Sequence, residues 1–323
     1  MRIKKKFCKL SAIFIVFIMM FTVVVLPNVE TAIFRSVGDT KVPLKTLVVS
    51  GIINVILNLF FVIVLKMTVN GVAIAIVISN LISAIILLNK LIKTDQYTHV
   101  NLKDLKIYKL SLVRILKIRM PAGIQSAVFA LANIVIQAAI NSLGTVVIAA
   151  SSAAFNVEIF AYDILNSFGQ ACPTFVGQNY GAGQIDRCKK TLYLCLIEDA
   201  IASALAIGII IVSCKFLLSL FNNNPQVIQI GYTRLIMVFT AYIFSMLCEV
   251  MSGYLRGFGI SLVPAILTCI CGTRVLWIET VFKSYQSFTT IMCAYPLSLS
   301  LTAVAIFCAL MYYQPSKKML NKD

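Results

Sequence analysis

The sequence predicts an all-α polytopic membrane protein, with nine transmembrane helices drawn from two parallel six-helix repeats, the first repeat lacking about its first three helices. Three observations carry this. Hydrophobic residues fill 60% of the 323 positions and charged residues only 12%, against about a quarter charged in soluble domains; mean hydropathy is +0.93. Apolar runs recur at about the 20-residue length that crosses hydrocarbon, and lipid excludes unpaired backbone groups, so these runs must be helices. Finally, the segment Arg35-Ser36-Val37-Gly38-Asp39-Thr40-Lys41-Val42-Pro43 returns in register 221 residues later as Arg256-Gly257-Phe258-Gly259-Ile260-Ser261-Leu262-Val263-Pro264.

The predicted spans are 10–33, 44–65, 69–92, 121–142, 145–172, 191–214, 228–251, 262–282 and 288–312. The first ends at the first repeat loop, marked by Arg35, Gly38 and Pro43, and the second and third complete what is present of one lobe. Counterparts of the helices from Pro121 onward would begin about 100 residues before Met1. This places the C-terminal part of the first lobe in 1–93 and a basic inter-lobe linker in 94–119. Within that linker Lys103, Lys106 and Lys109 are spaced by three, which suits either a short basic helix on an anionic leaflet or a solvated connection. Pro121 is expected in the first turn of the fourth span, where a missing N–H costs nothing. A complete second lobe fills 120–313, with its own repeat loop at Arg256, Gly259 and Pro264, and 314–323 forms a tail.

A net charge of +16 is spread over short loops rather than gathered on one surface, which argues against nucleic acid. It reports topology instead. Arg35, Lys41, Lys45, the linker, Arg187, Lys189, Lys190, Arg256 and the tail lysines Lys317, Lys318 and Lys322 fall in alternate loops, so these loops and the tail are expected on the cytoplasmic side of the plasma membrane. An even number of helices between the repeat loops makes the repeats parallel. Arg2, Lys4, Lys5, Lys6 and Lys9 break the pattern. A signal peptide would explain them only by placing every other basic loop outside, so Met1 is expected to be an internal start or a fragment boundary.

No enzyme is expected. Ten cysteines offer no metal-ligand pair, His99 is the single histidine, and no nucleophile–base set or phosphate loop appears. No cofactor or resident metal is predicted, a transient sodium site aside.

Candidate residues are the polar ones inside spans. In 121–142, Gln125, Asn133, Gln137 and Asn141, with Phe129 between them, form a four-residue stripe that must face protein or water, as interhelical glue or as a substrate surface. In 145–172, Ser152, Asn156, Asp163, Ser167 and Gln170 fall within about 60° of one another, and Glu158 points about 140° away, toward the interior of its own lobe. An intramembrane carboxylate costs at least about 2.5 kcal/mol, so Asp163 is expected to pair or to titrate in function. Glu249 and Arg274 flank the second repeat loop at about 12 and 20 Å of rise and are expected to reach each other, as a helix lock or as part of transport. Glu279 beside Trp277 reads as interfacial.

The motifs FVGQNYGAG from Phe175, MPAGIQSAV and IQAAINSLGTVVIAASSAAF across the fourth and fifth spans, EVMSGYLRGFGISLVP from Glu249, CGTRVLWIETVF, and YPLSLSLTA from Tyr295 together resemble the multidrug and toxic compound extrusion family, particularly its bacterial members. That resemblance implies a twelve-helix, two-lobe exporter of small cationic or amphipathic compounds, driven by sodium or proton entry through alternating access. Phe129 and Ser245 stand where some members carry coupling acids, and the first-helix aspartate of others has no equivalent, which shifts weight to Glu249, Asp163 and Glu158. The leading expectation is ion-coupled multidrug antiport by a monomer in the lipid bilayer. The alternatives are a non-transporting remnant of such a transporter and a lipid-linked glycan flippase, the last disfavoured by a polar face that is neutral to acidic.

Overall fold

The computed structural model describes residues 23, 25–67, 69–94, 99–101, 106 and 108–315. Most of the first predicted span, the basic residues before it, Lys103 and the tail lysines lie outside the described residues. The described elements are helical, and eight helices are long and apolar enough to cross a membrane. The chain divides into two compact units, Met1–Ile107 and Tyr108–Asp323.

In the first unit, α1 covers 25–36, α2 covers Lys41–Leu59 and closes in a π turn, Phe60–Val64, and α3 covers Val69–Lys93. Asn54 Nδ2 donates to Ser79 Oγ at 3.0 Å and ties α2 to α3, with Asn58 Nδ2 backing Asn54 Oδ1 at 2.9 Å. Such bonds hold helices together where lipid offers no hydrophobic drive for association. Phe34, Leu87 and Leu91 form the small core.

The second unit holds α4 (Lys109–Ser142), α5 (Thr145–Gly181), α6 (Ile185–Ser219), α7 (Pro225–Gly257), a broken α8 (Leu262–Phe282) and α9 (Phe288–Tyr313). Helix α7 is the axis. It packs on α5, α6 and α9, and Leu235, Val238 and Phe239 meet Ile140, Val157, Leu165, Ile210, Ile291 and Met292 in the main core. Its start is set by Pro225 in the first turn and by Asn224, whose side chain accepts from Gln226 N at 2.9 Å, the arrangement that satisfies an otherwise orphaned helix N–H.

Helices α5 and α7 approach at backbone distance. A Cβ added to Gly253 would lie 2.8 Å from the Gly169 carbonyl oxygen, and one added to Gly257 would lie 2.5 Å from Val176 Cγ1. Gly253 and Gly257 form a small-xxx-small pair, which permits this contact in a membrane.

Eight of the nine predicted spans are found in the predicted order among the described residues, the first lying mostly outside them, and several helices are longer than predicted. The clearest difference is α4, which begins at Lys109 and carries Pro121 in its interior. Hydropathy reports only the hydrocarbon-matched part, about 30 Å, whereas 34 residues of helix extend about 51 Å. The residues expected as the end of a linker are therefore the helix's basic first turns. Pro121 removes one backbone donor, a loss that membrane helices tolerate.

The repeat is also a repeat of backbone geometry. Gly38 and Gly259 have φ of +84° and +80°, a region open to glycine at little cost. Gly38 N donates to Arg35 O at 3.0 Å and Asp39 N to Phe34 O at 3.0 Å; Gly259 N donates to Arg256 O at 2.9 Å and Ile260 N to Leu255 O at 3.0 Å. The preceding helices end at 36 and at Gly257, again 221 apart. Each following span closes in a π turn, at Phe60–Val64 and at Ile278–Phe282. Only the second span is broken, by a 3₁₀ turn over Cys269–Gly272.

Candidate functional site

Helix α5 carries two polar faces, and the fold sends them in opposite directions. Ser151 and Glu158, seven residues or two turns apart, point into the lobe toward α7. Arg234 meets them there: its Nε and Nη2 donate to Glu158 Oε2 at 3.2 and 3.0 Å, and its Nη1 donates to Ser151 Oγ. Tyr242 Oη donates to the remaining oxygen, Glu158 Oε1, at 3.0 Å. Glu158 and Arg234 are buried, and every oxygen of the carboxylate has a partner. A buried ion pair offsets its desolvation only when its geometry is good and its other polar atoms are satisfied. That condition is met here.

The other face of α5 holds Ser152, Asn156, Asp163, Ser167 and Gln170, all exposed. Asn156 Nδ2 donates to Ser152 O at 2.9 Å, and Ser167 Oγ to Ile164 O at 2.6 Å. Asp163 makes no ion pair among the described residues. On α4, Asn133, Gln137 and Asn141 are exposed while Gln125 is buried, and Gln137 Nε2 donates to Asn141 Oδ1 at 2.9 Å. The stripe thus divides, its upper part turned into protein and its lower part accessible.

Arg274 and Glu249 do not pair, contrary to the sequence expectation. Arg274 lies buried on the broken helix, where Nε donates to Ser298 Oγ at 2.7 Å and Nη1 to Asn133 Oδ1 at 3.5 Å. Its guanidinium sits 4.7 Å from the Tyr295 ring and 5.7 Å from the Phe129 ring, within the range of cation–π attraction. Glu249 instead forms an ion pair with Arg256, Nη2 to Oε2, at 3.8 Å on the same helix, and its Cβ borders Gly169. The expectation rested on equal depth, and depth says nothing of the direction in which each helix turns its side chain. Glu279 is exposed and pairs with Lys283, one turn on.

Arg234, Tyr242, Ser151, Asp199 and Glu30 escaped the sequence reading. Asp199 is wholly buried in α6; Ser203 Oγ donates to its Oδ1 at 2.8 Å, while Oδ2 has no partner among the described residues. Glu30 in α1 is buried, and neither of its oxygens has a hydrogen-bond partner among the described residues. The available signal was an ionisable residue inside an apolar span, which by itself marks a position worth explaining. Among the described residues, no group of three or more His, Cys, Asp or Glu is placed to hold a metal ion.

The comparisons with known proteins bear on what this lobe belongs to. A probable multidrug resistance protein of Bacillus subtilis, YoeA, is 26% identical over 295 residues, covering 88% of this chain and 63% of its own length. The multidrug export protein MepA of Staphylococcus haemolyticus is 20% identical, covering 80% of this chain and 57% of its own. The chain thus spans about three-fifths of these relatives. A crystal structure of a MATE protein in the straight conformation matches with a TM-score of 0.81 at 17% identity, over 90% of this chain and 67% of that one. An outward-facing MATE family transporter of the MOP superfamily matches with a TM-score of 0.81 at 18% identity, over 90% and 66%. At such identities these structures bear on the fold alone, that of a multi-pass membrane protein. The family model MatE matches residues 121–278, from the interior of α4 to the start of the π turn that closes α8. Relatives, fold and family model agree: over just under half of its length by the family model, and most of its length by the relatives and the fold, this chain is similar to the MatE family.

Proposed function

We propose that this chain acts in secondary active efflux of small cationic or amphipathic compounds, with sodium or proton entry exchanged for drug by alternating access. The observation that carries the reading is the accessible face of α5, where Asp163 lies among Ser152, Asn156, Ser167 and Gln170 without an ion-pair partner among the described residues. An unpaired carboxylate at membrane depth favours any state in which it gains a cation or a proton. The amides of α4, Asn133, Gln137 and Asn141, extend a polar surface without net charge on which an organic cation can rest. Glu249 is the second coupling candidate. Glu158, saturated by Arg234 and Tyr242, is assigned to holding the lobe together. The division into two lobes of one transporter, joined by the basic stretch before α4, and a monomeric state are part of the same proposal.

Ethidium efflux from cells stripped of their own exporters tests this. Asp163→Asn is expected to abolish energy-dependent efflux at unchanged membrane abundance, with Glu249→Gln reducing it. Wild-type efflux in both variants would overturn the assignment of the coupling residues.

A further inference from the structure

The turn between α5 and α6 is built from the FVGQNYGAG motif and encloses a cleft of about 540 Å³ that the transport reading leaves unused. Helix α5 ends at Gly181, Gly183 turns the chain with φ +73°, and α6 leaves at Ile185. The helix-end donors are satisfied within the turn: Gln184 N donates to Asn179 O at 2.8 Å and Gly183 N to Tyr180 O at 3.0 Å. Phe175, Gln178, Asn179, Arg187, Lys190 and Thr191 line the cleft. Its wall contains two cations and no acid. Arg187 and Lys190 are three apart and share a face of α6. The nearby Asp186 is matched by Lys189 at 3.6 Å, so it does not cancel them.

Below the cleft, α6 presents an apolar stripe to its surroundings, interrupted near its start by the exposed Glu198, which shares this face between Leu194 and Ile201. Leu194, Ile197, Ile201, Leu205 and Ile209 recur about once per turn and are 55–67% exposed. In a membrane-spanning helix such a stripe faces acyl chains. From Leu194 to Leu205 it rises about 16 Å, about half of the 30 Å hydrocarbon core and so one leaflet deep. The cleft therefore sits at headgroup level directly above an acyl-chain track. The neighbouring turns on the opposite side, 143–144 and 220–224, carry no Lys or Arg, which places this one on the cytoplasmic, anionic leaflet.

We propose that this cleft holds one anionic phospholipid of the inner leaflet, with Arg187 and Lys190 on the headgroup phosphodiester, Thr191 and the amides of Gln178 and Asn179 beside it, and the acyl chains along α6 and Phe175. Charge complementarity selects an anion, and continuity with the apolar stripe selects a lipid over a soluble phosphate. The site is distinct from the polar face of α5, so its failure would leave the transport proposal standing.

The test is lipid binding by the purified full chain, equilibrated with mixed vesicles of phosphatidylglycerol and phosphatidylcholine in equal parts and read by native mass spectrometry. The chain is expected to retain phosphatidylglycerol selectively. The double variant Arg187→Gln/Lys190→Gln should lower its affinity for that lipid about 25-fold, about fivefold for each charge lost. The charge-preserving Arg187→Lys/Lys190→Arg and the control Lys45→Gln/Lys215→Gln should keep it. Equal retention by the first double variant, an equal loss in the control, loss in the charge-preserving variant, or displacement of the lipid by millimolar inorganic phosphate would each overturn the proposal.

Discussion

Glu158 and Arg234 show what one residue can reveal about its neighbours. The carboxylate accepts from a guanidinium on one oxygen and from a tyrosine hydroxyl on the other, so removing its charge strands a buried cation. Glu158→Gln is expected to destabilise the second lobe by about 3 kcal/mol, measurable as a lowered Tm of the detergent-solubilised protein. The double replacement Glu158→Met/Arg234→Met should recover most of that loss, because two apolar side chains of similar volume leave no uncompensated charge. The direction of Glu158, away from Asp163, was legible from 100° per residue alone. Its partner was not. Periodicity orders the residues around one helix and is silent on which neighbouring helix each face meets, so Arg234 went unnoticed and Arg274 was matched to Glu249, when its partners are Ser298 and Asn133.

At the scale of the helices, the α5–α7 contact sets the tolerance of the second lobe. Adding a methyl group at Gly253 forces a Cβ to 2.8 Å from a backbone oxygen and 3.0 Å from Pro173 Cδ, neither of which can swing aside. Gly253→Ala should therefore cost about 1–3 kcal/mol in the same thermal unfolding measurement. Gly208→Ala on α6, with nothing within 4 Å of the new atom, should be neutral or stabilising because alanine is the better helix former. The helix spans themselves were read from apolar run length, which ends where the hydrocarbon ends. The further turns of α4 and α5, reaching back to Lys109 and on to Gly181, are held by hydrogen bonds and contacts that hydropathy does not register.

Across the whole molecule the repeat is the organising fact. It was legible because Gly38 and Gly259 occupy the same backbone region and must be glycine for the same reason. The differences between its copies were hidden, since a 3₁₀ break and a π turn leave no fixed residue signature. The repeat loops are 221 residues apart, yet the π turns begin at Phe60 and Ile278, 218 apart. A π turn holds one residue more than the α-helical path requires, which makes it a reservoir for changes in chain length. Deleting Val62 or Thr280 should let the local path revert to regular helix, with membrane insertion and expression retained. Deleting Ile52, in regular helix, would rotate everything beyond it by about 100° relative to its neighbours and move Asn54 out of reach of Ser79; loss of folded protein is the expected result. The two π turns are thus places where insertions and deletions can be absorbed, which would let the spans of the two copies come to differ in length, 24 residues against 21, while their entry loops kept a common shape.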